Sequence, residues 1–266
     1  MSDPPTCLRH PDRVTMLSCS RCGAPICAEC MVDAAVGQLC PDCAAPRRGD
    51  RHRVVPVARR SSFAAAPVSY SIIGITLAVF LASYLPGPVS ESLLRALAQV
   101  NVLVLAGEWW RIFTAALLHA GITHVGFNMY ALYVFGPALE RQVGSPAFAA
   151  LYLACAGVGG AVSTLTGQPT QVSIGASGAI FGLFGAWLFV SWKLRGSPAG
   201  RVMLNQLLVL LALNVALAFV IPRIDWRAHA GGMAAGLLIA FAWSRLAVGR
   251  PRAVLIRTVV ASAVAL

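Results

Sequence analysis

Long apolar runs separated by short charged clusters dominate the chain from residue 68 onward. A helix needs about 20 apolar residues to cross a bilayer, so each run predicts one spanning helix. The first run begins too far into the chain for a cleaved leader, which indicates a retained membrane anchor. The pattern predicts an all-α polytopic membrane protein with six spans, at residues 68–85, 122–139, 146–166, 177–194, 203–221 and 229–247.

Two stretches fit this pattern only in part. Residues 86–121 carry four charged side chains and are too polar to span, so we expect short helices in the outer interface, with Trp109 and Trp110 at headgroup depth. Residues 251–266 are apolar but short and contain Arg257, which indicates a truncated seventh span or an interfacial stub.

Charge is distributed unevenly along the 266-residue chain, which is 58% hydrophobic and 12% charged, with a mean hydropathy of +0.72. Residues 1–60 hold nine of the 21 basic and six of the ten acidic residues, so a polar head precedes an apolar body. The net charge of +11 does not indicate a nucleic-acid partner, because the arginines cluster at the ends of apolar runs.

The same arginines predict how the chain is oriented. With the N-terminus in the cytoplasm, inside segments carry 16 Lys and Arg residues and outside loops carry 4. This bias predicts a multi-pass protein of the plasma (cytoplasmic) membrane, with its N-terminus inside and the starts of the fourth and sixth spans outside.

Seven of the eight cysteines and one histidine form four closely spaced pairs, Cys7 and His10, Cys19 and Cys22, Cys27 and Cys30, and Cys40 and Cys43. A two-residue gap lets both side chains of a pair bind one ion, and eight such ligands fill two tetrahedral zinc sites. Disulfides are the alternative, but a reducing cytoplasm disfavours them. We expect a domain at 1–45 with two structural zinc ions, followed by a basic flexible linker at 46–66. The spacing leaves sequential and interleaved pairing open.

The cysteine-rich segment resembles a B-box-type zinc finger. That resemblance implies interleaved pairing, with one ion held by Cys7, His10, Cys27 and Cys30 and the other by Cys19, Cys22, Cys40 and Cys43. Both sites would be closed, so the module is expected to be structural or to bind a protein partner.

The membrane domain expected at 67–250 contains few polar groups that can carry chemistry. The sequence has no carboxylate pair within its spans and no H-E-x-x-H string of a metalloprotease. Ser177 begins the fourth span, where a helix N-terminus offers free N–H groups and a positive dipole end to an oxyanion. Gly175 and Gly178 would let a substrate backbone approach closely. A serine bonded to its own helix backbone is the alternative.

His229 begins the sixth span, three residues before a Gly232-x3-Gly236 face that suits close helix packing. If that face packs on Gly178-x3-Gly182 of the fourth helix, His229 meets Ser177 and can act as its base. Phe181, one turn after Ser177, would pack against the imidazole. A purely structural interhelical bond is the alternative for His229.

His124 and Asn128 are spaced i, i+4 at the outer end of the second span and project from one helix face. Both side chains can donate a hydrogen bond to an oxyanion. Helix–helix bonding or contact with water is the alternative.

Taken in order, these motifs resemble the rhomboid family. His119-x4-His124-x3-Asn128 is followed by Gly175-Ala176-Ser177-Gly178 and then by Ala228-His229-x2-Gly232-x3-Gly236. The Trp110-Arg111 pair before the first histidine is similar to that family's first-loop motif. The resemblance covers roughly residues 68–247.

The resemblance implies a six-helix core around a water-filled outer cavity and an intramembrane serine endopeptidase that uses a Ser–His dyad without a third acid or a catalytic cofactor. By position, Ser177 is the nucleophile and His229 the base, while His124, Asn128 and the Ser177 N–H form the oxyanion hole. The side chains and backbone that support this site are His119, Gly175 and Phe181, the last where some members have Tyr.

Two other functions are left open by the sequence. A catalytically inactive rhomboid-like protein would bind membrane clients, although such relatives typically lack the Ser or the His. A transporter would need a charged or broken-helix site at the midplane, and the sequence offers no charged one. The protease interpretation predicts substrates that are transmembrane proteins of the same bilayer, cleaved at small residues exposed by helix-breaking sequence.

Overall fold

The computed structural model describes residues 4–34, 37–45, 62–84, 87–221, 224–246 and 250–265. Contacts between residues divide the chain into two compact units, Met1–Arg59 and Arg60–Leu266. The linker expected at 46–66 lies mostly outside the described residues. The finer domain boundaries therefore stay predictions.

The N-terminal unit contains little regular structure. Its elements are the antiparallel pair β1 (Thr6–Cys7) and β2 (His10–Val14), the antiparallel pair β3 (Val32–Asp33) and β4 (Gln38–Leu39), and the one-turn helix α1 (Pro41–Ala44). Five cysteines and Ile26 form its small buried cluster. A core of this size buries too little apolar surface to order the segment, so the unit needs crosslinks such as metal ions.

The second unit is almost entirely helical. Its helices are α2 (Ser62–Ala65), α3 (Pro67–Ser83), α4 (Pro88–Leu97), α5 (Asn101–Leu105), α6 (Arg111–Thr114), α7 (Ile122–Val143), α8 (Ser145–Thr166), α9 (Ser177–Lys193), α10 (Pro198–Val220), α11 (Trp226–Arg245) and α12 (Arg250–Ala265). A short 3-10 helix, Ala115–Leu117, follows α6, and strand β5 (Gln99–Val100) pairs antiparallel with β6 (Val172–Ser173).

Helices lie at all six predicted spans, but their lengths do not confirm a six-span count. Within the described ranges, two are long and apolar enough to cross a bilayer alone, Ser145–Thr166 and Pro198–Ala218. A third crossing results if Arg111–Leu117 and Ile122–Val143, bent by 101°, act as one span. Helices α3 and α9 have 17 residues each. That is about 26 Å of helix, slightly less than the hydrocarbon core.

The apolar tail forms α12, which packs against α8. The indole Nε1 of Trp243 donates to the carbonyl of Arg257 at 3.0 Å. The Arg257 guanidinium in turn donates to the carbonyl of Gln142, at 3.3 Å, near the end of α7. The tail is therefore part of the helix bundle.

Glycines allow α9 and α11 to approach closely at the centre of the bundle. A Cβ at Gly232 would overlap the carbonyl oxygen of Gly178, and a Cβ at Gly236 would overlap that of Gly182. Only glycine leaves room for backbone at these distances. The predicted packing of the Gly232-x3-Gly236 face on Gly178-x3-Gly182 is confirmed.

A buried carboxylate near the C-terminal end of α7 joins α7 to α3 and α8. Glu140 is 1% exposed. It accepts the backbone N–H groups of Val68 at 3.0 Å and Ser69 at 2.8 Å, which caps the start of α3. It also accepts the hydroxyl of Ser145, at 2.7 Å, in the first turn of α8. Its charge is thereby satisfied by hydrogen bonds within the bundle.

Residues 87–121 form short helices, as the sequence predicts, while their depth in the membrane stays a prediction. Buried Arg111 holds this region together: its guanidinium donates to the Glu108 carboxylate at 2.6 Å and to the carbonyls of Arg95 and Ala98, both at 2.8 Å. Strand β5 then connects the region to β6, which leads to Ser177.

Gly236→Val should test whether the close helix approach holds the bundle together. The added side chain would meet the Gly182 backbone, which cannot rotate away, so we expect a loss of roughly 1–3 kcal/mol or more in stability. Gly74→Val in α3 is the matched control, because a Cβ there meets nothing within 4 Å. Thermal unfolding in detergent measures both, and equal melting temperatures for the two variants would contradict the account.

Candidate functional site

Ser177 and His229 meet at the starts of two helices. Ser177 is the first residue of α9, and His229 lies in the first turn of α11. His229 Nε2 and Ser177 Oγ are 2.8 Å apart, a hydrogen-bond distance, although the residues are 52 positions apart in sequence. The glycine contact between α9 and α11 brings the two helix starts together.

Phe181 fixes the plane of the imidazole. Its ring stacks on that of His229 with centroids 4.1 Å apart and planes inclined by 10°. Phe181 lies one helical turn after Ser177, so a single helix carries both the hydroxyl and the stacking ring. The predicted position of Phe181 against the imidazole is confirmed.

The segment before Ser177 is held in a turn that requires glycine. Gly175 has a φ of +122°, which favours glycine, and its N–H donates to the carbonyl of Ala115 at 2.9 Å. A Cβ at Gly175 would lie 2.8 Å from Nε2 of His124. The turn therefore brings the Ser177 segment directly against the second predicted span.

His124 and Asn128 lie one turn apart on α7. The N–H of Ala120 donates to Nδ1 of His124 at 3.4 Å. In a neutral imidazole this bond leaves Nε2, on the Gly175 side, as the N–H donor. Asn128 donates to the carbonyl of His124 at 2.9 Å, which uses one of the two N–H groups of its amide. His124 thus presents a donor to the Ser177 region, and Asn128 retains the capacity to donate once more.

His119 is a buried residue whose ring contacts that of His124. It is 6% exposed, and its ring meets that of His124 edge to face with centroids 4.8 Å apart. Among the described residues, neither of its ring nitrogens has a hydrogen-bond partner. Its contact with His124 agrees with a supporting position.

Asp225 was not singled out from the sequence. It caps α11: its Oδ1 accepts the N–H of Ala228 at 3.2 Å. Its Oδ2 accepts the hydroxyls of Ser163 at 2.5 Å and Ser173 at 2.6 Å. A carboxylate therefore lies beside the Ser177–His229 pair, although the family resemblance implied a dyad without a third acid. The sequence did offer one indication of a role for Asp225: an Asp directly before a helix is a common N-cap residue.

Two cavities adjoin the Ser177–His229 pair. One, of about 40 Å³, lies beside Ser177, and its lining includes the polar side chains of Gln99, Ser173 and Asp225. The other is an apolar groove of about 480 Å³ bordered by α9, α10 and α11. His229 and Phe181 line the groove, so its contents would lie next to the pair.

The N-terminal ligands form two groups of four. One contains Cys7, His10, Cys27 and Cys30, and the other contains Cys19, Cys22, Cys40 and Cys43, with all donor atoms of a group within 4.8 Å of one another. This is the interleaved grouping.

The spacing of the donor atoms suits a small tetrahedral ion. In the first group, Nδ1 of His10 is 3.4 Å from the sulfurs of Cys27 and Cys30 and 3.9 Å from that of Cys7. Tetrahedral sulfurs 2.3 Å from a shared ion are about 3.8 Å apart. Cys22 and Cys40 in the second group are 3.8 Å apart. Both groups could therefore hold a metal ion.

The thiols of the second group have widely different proton affinities. The backbone N–H of Cys40 and those of nearby residues lower the pKa of Cys19 to about 6, against the opposing effect of burial. Hydrogen bonding with the Cys40 and Cys22 sulfurs raises the pKa of Cys43 to about 12. Crowded sulfurs resist simultaneous ionisation, and a bound cation removes that resistance.

Comparison with known proteins identifies the membrane unit. A model of the rhomboid domain matches residues 106–246, slightly more than half of the chain. The chain belongs to the rhomboid family. It is therefore an integral membrane protein, and the rhomboid match lies within the second unit.

Three relatives illustrate the extent of the similarity. YdcA of Bacillus subtilis (strain 168) is 42% identical over 142 residues, 53% of this chain and 70% of YdcA. Rhomboid protease GluP of the same organism is 38% identical over 164 residues, 62% of this chain and 31% of GluP. RHOMBOID-like protein 5 of Arabidopsis thaliana is 38% identical over 160 residues, 58% of this chain and 50% of that protein. The match thus spans less than two thirds of the last two relatives.

Proposed function

We propose that this rhomboid is an intramembrane serine endopeptidase in which Ser177 is the nucleophile and His229 the general base. The observation that carries the proposal is the 2.8 Å contact between Ser177 Oγ and His229 Nε2 at the starts of α9 and α11. A serine needs such a base within hydrogen-bond reach to act as a nucleophile. The name of GluP, a rhomboid protease, supports a proteolytic function.

The reaction has two halves. Ser177 Oγ attacks the scissile carbonyl carbon while its proton moves to His229 Nε2, and the imidazolium then gives that proton to the leaving amine. Water then attacks the acyl ester while His229 takes a proton from it. The bond to Ser177 Oγ breaks as that proton passes from His229 to Oγ, which releases the acid product and restores the serine hydroxyl. The cavity of about 40 Å³ beside Ser177 exceeds the volume that one water needs and has polar partners in Gln99, Ser173 and Asp225, so it can hold the hydrolytic water.

The oxyanion hole would consist of His124, Asn128 and the backbone N–H of Ser177. The N–H of Ser177 is one of the unpaired donors at the start of α9, where the helix dipole also favours negative charge. His124 contributes a protonated Nε2 on the Gly175 side, and Asn128 contributes its amide. His119, Gly175 and Phe181 would keep these groups in place.

The substrates would be transmembrane proteins of the same bilayer. The apolar groove beside His229 suits a hydrophobic segment, and residues that break helices would expose its peptide bonds to Ser177. The arginine bias supports residence in the plasma membrane with a cytoplasmic N-terminus, which sets the Ser177–His229 pair near the outer face.

The N-terminal unit would bind two structural zinc ions. Seven thiolates and one imidazole are soft donors that suit zinc, and each group of four fills a closed tetrahedral site. Such ions supply the crosslinks that this small core needs. The B-box resemblance suggests that the module also binds a protein partner.

Cleavage of a model transmembrane substrate tests the dyad. Ser177→Ala and His229→Ala should each abolish turnover while the helical content is retained. The double variant should be no worse than either single one, because a nucleophile and its base act as a unit. Ser191→Ala is the control, since Ser191 lies further along α9 and bonds its own helix at the carbonyl of Trp187. Retained cleavage in Ser177→Ala would end the proposal.

Variants of the oxyanion donors test the second part of the site. His124→Ala and Asn128→Ala should each lower turnover about 100- to 1000-fold, with little change in KM, because these donors act mainly on the transition state. The N–H of Ser177 would supply the residual rate. If both residues merely join helices, the melting temperature falls and turnover per folded molecule stays intact, which contradicts the oxyanion role.

Elemental analysis tests the metal sites. Protein purified without chelator should contain about two zinc ions per chain, and Cys19→Ser should lose about one, since a closed tetrahedral site cannot spare a ligand. Cys155→Ser is the matched control, because Cys155 lies buried in α8 and not in either group. Zinc-free wild-type protein, or loss of zinc in the control, would refute the assignment.

A further inference from the structure

Asp225 bonds three separate parts of the membrane unit. Its Oδ1 accepts the N–H of Ala228 in the first turn of α11. Its Oδ2 accepts the hydroxyl of Ser163 in α8 and that of Ser173 in β6. A carboxylate with several hydrogen bonds is well satisfied in a partly dry site.

One of these bonds restrains the nucleophile segment. Ser173 lies two residues before Gly175 and four before Ser177. The same segment is held by the pairing of β6 with β5 and by the Gly175 N–H on Ala115, at 2.9 Å. Asp225 is the member of this set that connects the segment to α11.

Another set of bonds restrains the base. The N–H of His229 donates to the Asp225 carbonyl at 3.2 Å, and the Asp225 side chain caps the same turn through Ala228. The position of the imidazole depends on this turn, because Phe181 restrains the ring plane but not the helix that carries it. One aspartate thus restrains both partners of the 2.8 Å contact between Ser177 and His229.

We propose that Asp225 is a positioning residue, which sets the distance between Ser177 and His229 through its bonds to Ser173, Ser163 and Ala228. This inference rests on the proposed protease function. It assigns Asp225 no proton transfer: the proton moves only between Ser177 and His229. A displacement of about 1 Å between reacting groups can cost roughly 100-fold in rate.

Steady-state kinetics on a model transmembrane substrate, together with thermal unfolding, test the role. Asp225→Ala should lower kcat by roughly 10- to 100-fold with KM nearly unchanged, because the dyad is misaligned and the substrate groove is intact. Asp225→Asn should restore most of the loss. Its Oδ1 can still accept from Ala228, and its Nδ2 can donate to the two serine hydroxyls, which rotate to accept.

A second variant keeps the test decisive if Asp225→Ala does not fold. Ser163→Ala with Ser173→Ala removes both hydroxyls and leaves the Asp225 cap on α11. It should lower kcat in the same direction and by less than Asp225→Ala. Adding Asp225→Asn to this pair should then cause little further loss, because the amide oxygen still caps Ala228 and both serine hydroxyls are already absent.

Glu140→Gln is the matched control. Glu140 also caps a helix start with its carboxylate, and it is more deeply buried than the partly buried Asp225, but it lies about 24 Å along α7 from His124. It should lower the melting temperature while kcat per folded molecule stays unchanged. If the Asp225 and Ser163/Ser173 variants behave like Glu140→Gln, the positioning role is wrong while the protease proposal stands. Retained cleavage in Ser177→Ala instead removes the protease proposal itself.

Discussion

The close approach of α9 and α11 is the contact on which the rest of the membrane unit depends. The carbonyl oxygens of Gly178 and Gly182 occupy the space where side chains of Gly232 and Gly236 would be. Apolar side chains provide little driving force between helices in lipid, so backbone contact of this kind is a main source of specific helix pairing. Because His229 lies just before the glycine face and Ser177 just before its counterpart, the same contact brings the two side chains together.

Hydrogen bonds at the two ends of the bundle join further elements to the helices that the glycines bring together. At one end, Glu140 caps α3 and holds α7 to α8. At the other, Asp225 caps α11 and holds the strand that leads to Ser177. Unpaired charge is costly away from water, and each carboxylate is satisfied by several donors. The Asp225 end adjoins a small cavity beside Ser177 that is lined in part by polar side chains, which is where hydrolysis needs water.

The sequence predicted the parts of this arrangement that follow from short spacings. The Gly-x3-Gly faces predicted the packing of α9 on α11, and a position one turn after Ser177 predicted the stacking of Phe181 on His229. The pairs of candidate metal ligands were also predicted from short spacings, but their interleaved grouping depends on how the hairpins fold back, which spacing alone does not determine.

Other features depend on tertiary contacts that no local pattern encodes. The two serine partners of Asp225 lie 52 and 62 residues away, so its connection to the Ser177 segment could not be inferred from its neighbours. Helix lengths also differ from the apolar runs: α7 continues to Val143, α10 already begins at Pro198, and the chain bends by 101° before α7. Hydropathy marks where a helix can lie in a membrane and does not fix its ends.

Covalent labelling with a serine-directed fluorophosphonate tests the central claim most directly, because it needs no knowledge of the natural substrate. Detergent-solubilised protein should form one adduct per chain, and peptide mass spectrometry should locate it on Ser177. The adduct should disappear in Ser177→Ala and in His229→Ala, since the hydroxyl is unreactive without its base. Labelling that is undiminished in His229→Ala, or that falls on another residue, would contradict the assignment of Ser177 and His229 as a catalytic pair.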